Sequence, residues 1–182
     1  MNFNKIAIAS MMMFGAALTH AADPVTVQGG TIHFEGELVN AACAVSTESA
    51  NQTVVLGQYR TASLANVGDM TTPVPFTIKL VDCDPEVHKT ASVSFAGTTI
   101  PNDTELLATS AGGTNGIAAK NVGIQISDDT STILKVDGAD KGSVKTLLSG
   151  NNVLDFTARY VATGKSTAGA ANADATFFIN YQ

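Results

Sequence analysis

Apolar residues recur at every second position in one stretch of this chain after another, the period of a strand with one face in a core. Val74, Phe76, Ile78 and Leu80 alternate with Pro75, Thr77 and Lys79. Ala91, Val93 and Phe95 repeat the pattern, as do Val122, Ile124 and Ile126, and then Leu154, Phe156, Ala158 and Tyr160. Ala173, Ala175, Phe177, Ile179 and Tyr181 alternate with Asp174, Thr176, Phe178 and Asn180 just before the sequence stops at Gln182. Residues 41–45, 52–56 and 144–148 are β-prone but weaker, and 133–136 reads as a continuation of the 122–126 strand after a bend. Turn chemistry separates these runs at 46–49, Pro85, Gly97, 101–104, Asp128-Asp129, 137–142 and Asn151-Asn152. Leu106-Leu107 is a short apolar patch, and the stretches 110–121 and 163–172 read as loops. Pro75 marks a strand beginning or an edge. No stretch sustains apolar spacing of three and four, although 62–65 suits one helical turn. Six to eight strands between turn signals predict an all-β, two-layer antiparallel sandwich.

Residues 25–38 stand apart. Val25 and Val27 alternate with polar residues; Gly29 and Gly30 interrupt; Ile32 and Phe34 alternate again on the opposite parity. A strand can keep one face buried across such a phase shift if a bulge or kink at the glycines absorbs a residue. This strand-forming segment precedes the first cysteine, so the remaining chain either keeps the strand or lends it to a neighbour. With another strong strand at the last residues, both ends are expected to present or accept a sheet edge. An open edge is an aggregation hazard that a protein can also use for assembly.

Composition adds compartment and partners. Lys5, the apolar run 6–18 and the small residues around Thr19-His20-Ala21 read as an export signal, with cleavage after Ala21, before Ala22. The chain is acidic, with formal net charge −6 and pI ≈ 4.8, which argues against non-specific nucleic-acid binding. In an exported chain, Cys43 and Cys83 read as one disulfide rather than free thiols or a metal pair. Its loop is worth about 4 kcal/mol in the loop-entropy picture.

Longer motifs carry a family resemblance. The run Gly29-Gly30-Thr31-Ile32-His33-Phe34-Glu35-Gly36-Glu37-Leu38-Val39-Asn40-Ala41-Ala42-Cys43-Ala44-Val45 resembles the mature start of the type 1 fimbrial major subunit, a chaperone–usher pilin of enteric bacteria. Leu56-Gly57-Gln58-Tyr59-Arg60-Thr61-Ala62, Asp82-Cys83-Asp84, Phe156-Thr157-Ala158-Arg159-Tyr160 and Ala170-Ala171-Asn172-Ala173-Asp174-Ala175-Thr176-Phe177 extend the resemblance along the chain. The resemblance implies an incomplete immunoglobulin-like sandwich, a pilin fold lacking its last strand and completed by a donor strand from a neighbouring subunit. It implies a signal peptide at 1–21, a donor-strand extension at 22–40 and a pilin domain at 41–182. Val25, Val27, Gly30, Ile32 and Phe34 are the donor-strand candidates, with Gly30, Ile32 and Phe34 fitting the family's row. Gly169, Phe177, Ile179, Tyr181 and Gln182 match its chaperone-recognition strand, with a penultimate aromatic, a glycine upstream, and the Gln182 carboxylate for the chaperone's basic cleft. Cys43 and Cys83 match the family disulfide. The implied partners are identical subunits in a homopolymer, a periplasmic chaperone, an outer-membrane usher and a tip adhesin. The implied place is the fimbrium on the cell surface, reached through the periplasm.

Rival functions have less behind them. His33 alternates outward from Ile32 and Phe34, His88 lies in a polar turn, and no nucleophile motif joins either, so no enzyme is expected. The pairs Asp82/Asp84 and Asp128/Asp129 read as turn formers rather than metal ligands, and no cofactor is expected. Asn51-Gln52-Thr53 and Asn102-Asp103-Thr104 match glycosylation sequons, which arise often by chance. A tip adhesin would carry a separate lectin domain, for which one domain's length leaves no room. A minor adaptor pilin of the same fold and a self-complete secreted sandwich that binds a partner remain the alternatives, the latter predicting a stable monomer.

Overall fold

The strongest alternations all become strands in the computed structural model, which describes residues 25–38, 40–111 and 116–182. The expected export segment and its cleavage site at Ala21 and Ala22 lie outside the described residues, as does part of the 110–121 loop. The strands are β1 (Ala44–Val45), β2 (Val74–Cys83), β3 (Thr90–Gly97), β4 (Thr99–Ile100), β5 (Asp103–Ala108), β6 (Val122–Asp128), β7 (Lys145–Thr146), β8 (Gly150–Ala162) and β9 (Ala175–Tyr181). A one-turn helix α1 (Thr47–Ala50) and a 3-10 turn (Thr61–Leu64) complete the elements. The chain divides into two units, Met1–Glu37 and Leu38–Gln182, a boundary three residues before the expected one at 40/41.

Among the described residues the ladders are antiparallel and form two sheets, with one isolated parallel bridge between Ala118 and Ala170. One has the order β1-β2-β8-β6-β5-β4 and the other β7-β3-β9. Their facing rows make the core. Phe76 stands opposite Phe156, and Ile78 opposite Leu154, across the β2–β8 ladder. Ile124 and Ile126 stand opposite Tyr160 and Ala158 across β6–β8. From the smaller sheet, Phe95 meets Phe156 edge-on at 5.2 Å and Phe76 at 6.2 Å, an arrangement that ring quadrupoles favour.

Local chemistry explains the ends of these strands. β2 begins at Val74, so Pro75 sits at a strand beginning, where its missing N–H costs least. Past Leu80 the β2–β8 register shifts, and Asp82 takes φ 54, a left-handed conformation that aspartate tolerates better than most residues. Cys83 follows directly and is bonded to Cys43, 40 residues earlier. The bridge fastens the segment before β1 to the end of β2.

Several weaker expectations change form. Residues 46–49 give a short helix rather than a plain turn, with Ser49 and Ala50 N–H donating to Ser46 O at 3.0 Å each. The expected bend at 133–136 joins no ladder beyond the Ile133–Ser127 bridge, yet Leu134 and Val136 are wholly buried. Leu106 and Leu107 belong to β5 and are buried. Residues 52–56 are not a strand, and residues 25–38 have no ladder partner. Both are β-prone in composition, but a ladder needs a neighbour, and neither has one among the described residues.

Candidate functional site

A groove of about 1360 Å³ opens between the two sheets. Its floor is apolar: Phe76, Ile78, Phe95, Ile124, Ile126 and Ala158 line it. Residues 51–58 form one wall, which explains why their β-prone sequence lacks a ladder: the space beside them is the groove itself. The other wall is the run-in to β9 and its first residues, where Ala171, Ala173, Ala175 and Phe177 line the cavity. Three small side chains and one large one thus edge a trough whose floor is aromatic and branched aliphatic.

The sheet order leaves β9 at an edge. β3 pairs with it from Ala91↔Tyr181 to Gly97↔Ala175, and among the described residues no strand flanks its other side. Phe177, Ile179 and Tyr181 are half-buried and pack on the core, while Phe178 on the opposite face is exposed. An unpaired edge beside an apolar groove can accept both the main-chain hydrogen bonds and the side chains of an added strand.

The far end of β9 is anchored through the disulfide. The Tyr181 hydroxyl donates to Cys43 O at 3.1 Å, and its ring stacks on His88 at 6.0 Å. Burial pushes the Tyr181 hydroxyl above the ordinary phenol value, so it remains a donor at neutral pH. Gln182 N–H donates to Thr90 O at 3.0 Å, and Gln182 O accepts from the N–H groups of Lys89 and Thr90 at the same distance. At the other end of the groove, the Tyr160 hydroxyl donates to Ala171 O at 2.9 Å and fixes the alanine-rich wall. Burial, then the neighbouring Tyr59, raises the Tyr160 pKa.

Gly169 lies upstream of β9 and does not line the groove. A Cβ there would stand 2.5 Å from Ala119 N and 2.6 Å from the Ala118 carbonyl carbon. The backbones meet because Ala170 N–H donates to Ile117 O at 2.8 Å and Ala119 N–H to Ala170 O at 2.7 Å. Glycine is required by this close approach, and through it the groove wall is held in place.

The extension candidates are collected in one exposed segment. Val25, Val27, Ile32 and Phe34 are exposed, Phe34 at 90%. Gly30 has φ 151 and no atom within 4 Å of a virtual Cβ.

The sequence pattern did not reveal the alanine wall, the Tyr160 tether or the 51–58 wall, because each depends on what lies opposite rather than on its own period. Asp128, read from the sequence as a turn former, is one in the structure. This buried carboxylate accepts from Thr130 N–H and Oγ–H at 3.0 and 2.7 Å, Thr132 N–H at 2.9 Å and Ser143 N–H at 3.2 Å. Burial pushes its pKa up, but these hydrogen bonds prevail and hold it below the ordinary aspartate value. Asp128 is therefore a turn organiser. Asp129 pairs with Lys145. Among the described residues no group of His, Cys, Asp and Glu is arranged to hold a metal ion.

Comparisons with known proteins agree with this architecture. The family described as fimbrial protein matches residues 32–182. The type-1 fimbrial protein A chain of Salmonella typhi is 56% identical over 176 residues, covering 96% of this chain and 95% of the relative. Among solved structures, a chaperone–usher pilus studied for rod uncoiling superposes with TM-score 0.73 at 27% identity, over 88% of this chain and 100% of the other. The P pilus rod subunit PapA superposes with TM-score 0.66 at 28% identity, over 78% of this chain and 100% of the other.

Proposed function

This chain belongs to the fimbrial protein family and is a structural pilin of the cell-surface pilus; within that family we propose that it builds the rod of a type 1 fimbria by donor-strand exchange. Residues 25–34 of one copy occupy the groove of the next, pair with the free edge of β9 and complete its sandwich. The observation that carries this reading is the free β9 edge beside an apolar groove, in a chain that also has an unpaired β-prone segment with exposed Ile32 and Phe34.

The energetics follow from the parts. The half-buried groove residues Leu56, Phe76, Tyr160 and Phe177 forgo about 25 cal/mol per Å² of apolar surface while the groove is open. A neighbour's strand covers that surface and gains ladder hydrogen bonds at once. Repeating the contact head to tail gives an open filament, since each copy uses a different surface to give and to receive. Separation of subunits then requires exposing the groove again, so the junction is kinetically stable.

Transport needs the same groove to be covered earlier. A periplasmic chaperone fills it first, gripping β9 through Phe177, Ile179 and Tyr181 and taking the Gln182 carboxylate in a basic cleft. An outer-membrane usher exchanges that chaperone for the next subunit, and a tip adhesin ends the rod. Gly169 supports this strand by placing the wall rather than by touching the ligand.

The test compares two refolded, oxidised proteins by sedimentation, one starting at Ala22 and one lacking residues 22–37. Long denaturant-resistant polymers from the first alone, with the truncated form stabilised by the free 22–37 peptide, support donor-strand exchange. Two equally stable monomers would sink it.

A further inference from the structure

Phe178 is the exposed aromatic of β9. It is 52% exposed and stands opposite Ser94 of β3, between Thr176 and Asn180. Asn180 Nδ2 donates to Ser94 Oγ at 3.2 Å, so the neighbours of this ring on the outer face are polar. In the extension, Val25 and Val27 share parity with Gly29, Thr31 and His33, opposite to Gly30, Ile32 and Phe34. A regular strand that turns Ile32 and Phe34 into the groove therefore turns Val25 and Val27 outward. The bulge at Gly29-Gly30 is needed only if those valines must also face inward.

The groove wall admits a regular register in which they need not. All ladders of the two sheets are antiparallel, and an antiparallel addition to β9 continues that rule. Two antiparallel registers set Ile32 and Phe34 beside small wall residues, and the one with Phe34 against Ala171, Ile32 against Ala173 and Gly30 against Ala175 also brings an apolar residue of the extension over the exposed Phe178. In the same register Val27 falls opposite Phe178 and Val25 opposite Asn180, on the outer face.

Resting on the donor-strand reading above, we propose that Val27 of one copy packs on Phe178 of the next, forming an outer-face apolar clasp at each subunit junction. The extension runs through this register without a bulge. Its inward row fills the groove, and its outward valine covers the exposed aromatic of the strand it joins. Aromatic and β-branched side chains directly opposite across a ladder are a favourable pairing.

The test uses the full mature chain with paired cysteines. Val27→Cys with Phe178→Cys is polymerised, mildly oxidised and run on a non-reducing denaturing gel, beside Gln28→Cys with Phe178→Cys as the parity control. The expected result is a covalent ladder from the first pair and none from the second. Polymers that give a ladder only from the second pair, or from neither, overturn the clasp while leaving donor exchange standing. Absence of polymer from the unmodified chain removes donor exchange itself, and the clasp with it. Should the cysteine variants fail to assemble, Val27→Ser, Phe178→Ser and the double variant are compared by disassembly rate in guanidinium. Each single change should speed disassembly about two- to fivefold, with the double no faster than the faster single. Effects that multiply overturn the clasp.

Discussion

The extension and the last strand have the same kind of sequence and opposite surroundings. Residues 25–34 and Ala175–Tyr181 both alternate apolar with polar side chains. Yet Ile32 and Phe34 are exposed at 76% and 90%, whereas Phe177, Ile179 and Tyr181 are packed on a core. Among the described residues the last strand has β3 along one edge and no strand along the other, and the extension is paired along neither. Between them they have what one more strand of the sandwich requires, an unpaired apolar segment and an unpaired apolar groove. Alternation thus expresses a demand for burial on one face, and the demand need not be met within the same chain.

The largest effect should come from placing a charge at matching points in the two regions. Phe34→Asp should leave the unfolding midpoint of the oxidised subunit unchanged, because that side chain is exposed within the subunit. It should nevertheless abolish polymer in sedimentation, since an unpaired carboxylate in the groove costs at least about 3 kcal/mol per junction, more than a hundredfold. Phe177→Asp should lower both, because its ring packs on the core and lines the groove. Equal loss of subunit stability from both changes would erase the contrast.

Next comes the disulfide, which bears on the last strand but not on the extension. Cys43→Ser with Cys83→Ser should cost about 4 kcal/mol by chemical denaturation, and more than loop entropy alone if Tyr181 loses its acceptor on Cys43. Free 22–37 peptide should bind this variant more weakly than the oxidised truncated subunit. Unchanged peptide affinity at unchanged folding would separate the disulfide from the groove.

Gly169→Ala should follow, at about 1–3 kcal/mol, because the added Cβ meets the backbone of 117–119 rather than a side chain that can turn away. The loss should appear in subunit unfolding. A neutral effect would mean that this backbone contact does not hold the wall.

Much of this was legible in the sequence, for identifiable reasons. The strands with strict alternation and bulky residues, β2, β6, β8 and β9, are those whose partners lie in the same chain, so local pattern and tertiary pairing agree. The disulfide was readable from two cysteines in a chain whose first residues read as an export signal. Residues 52–56 misled because β-propensity describes how a segment fits a sheet, and the sheet beside them is missing. Leu134 and Val136 are wholly buried without a regular ladder, which periodicity does not register. Gly169 was picked out by its place in the family motif, but its physical task, a backbone contact with 117–119, depends on a fold that no local period encodes.

The smallest effect tests how the open strand is held. Tyr181→Phe keeps the ring that packs on the core and removes the hydroxyl that donates to Cys43 O. At neutral pH it should cost about 1 kcal/mol, the net worth of one such hydrogen bond. Burial raises the Tyr181 pKa above the ordinary value of 10.0, so the folded subunit keeps this proton where the unfolded chain releases it. The folded state then binds more protons, and this contribution to stability, fully present below pH 10, is lost as pH rises through the folded pKa. Phenylalanine has no such slope, so the gap between the two proteins should narrow above pH 10 while it stays flat from pH 6 to about 9. A gap that persists unchanged into strong alkali would mean that the hydroxyl titrates freely and does not anchor β9. A gap that closes would locate the anchor at the closed end of the strand, leaving the groove end free to receive a neighbour.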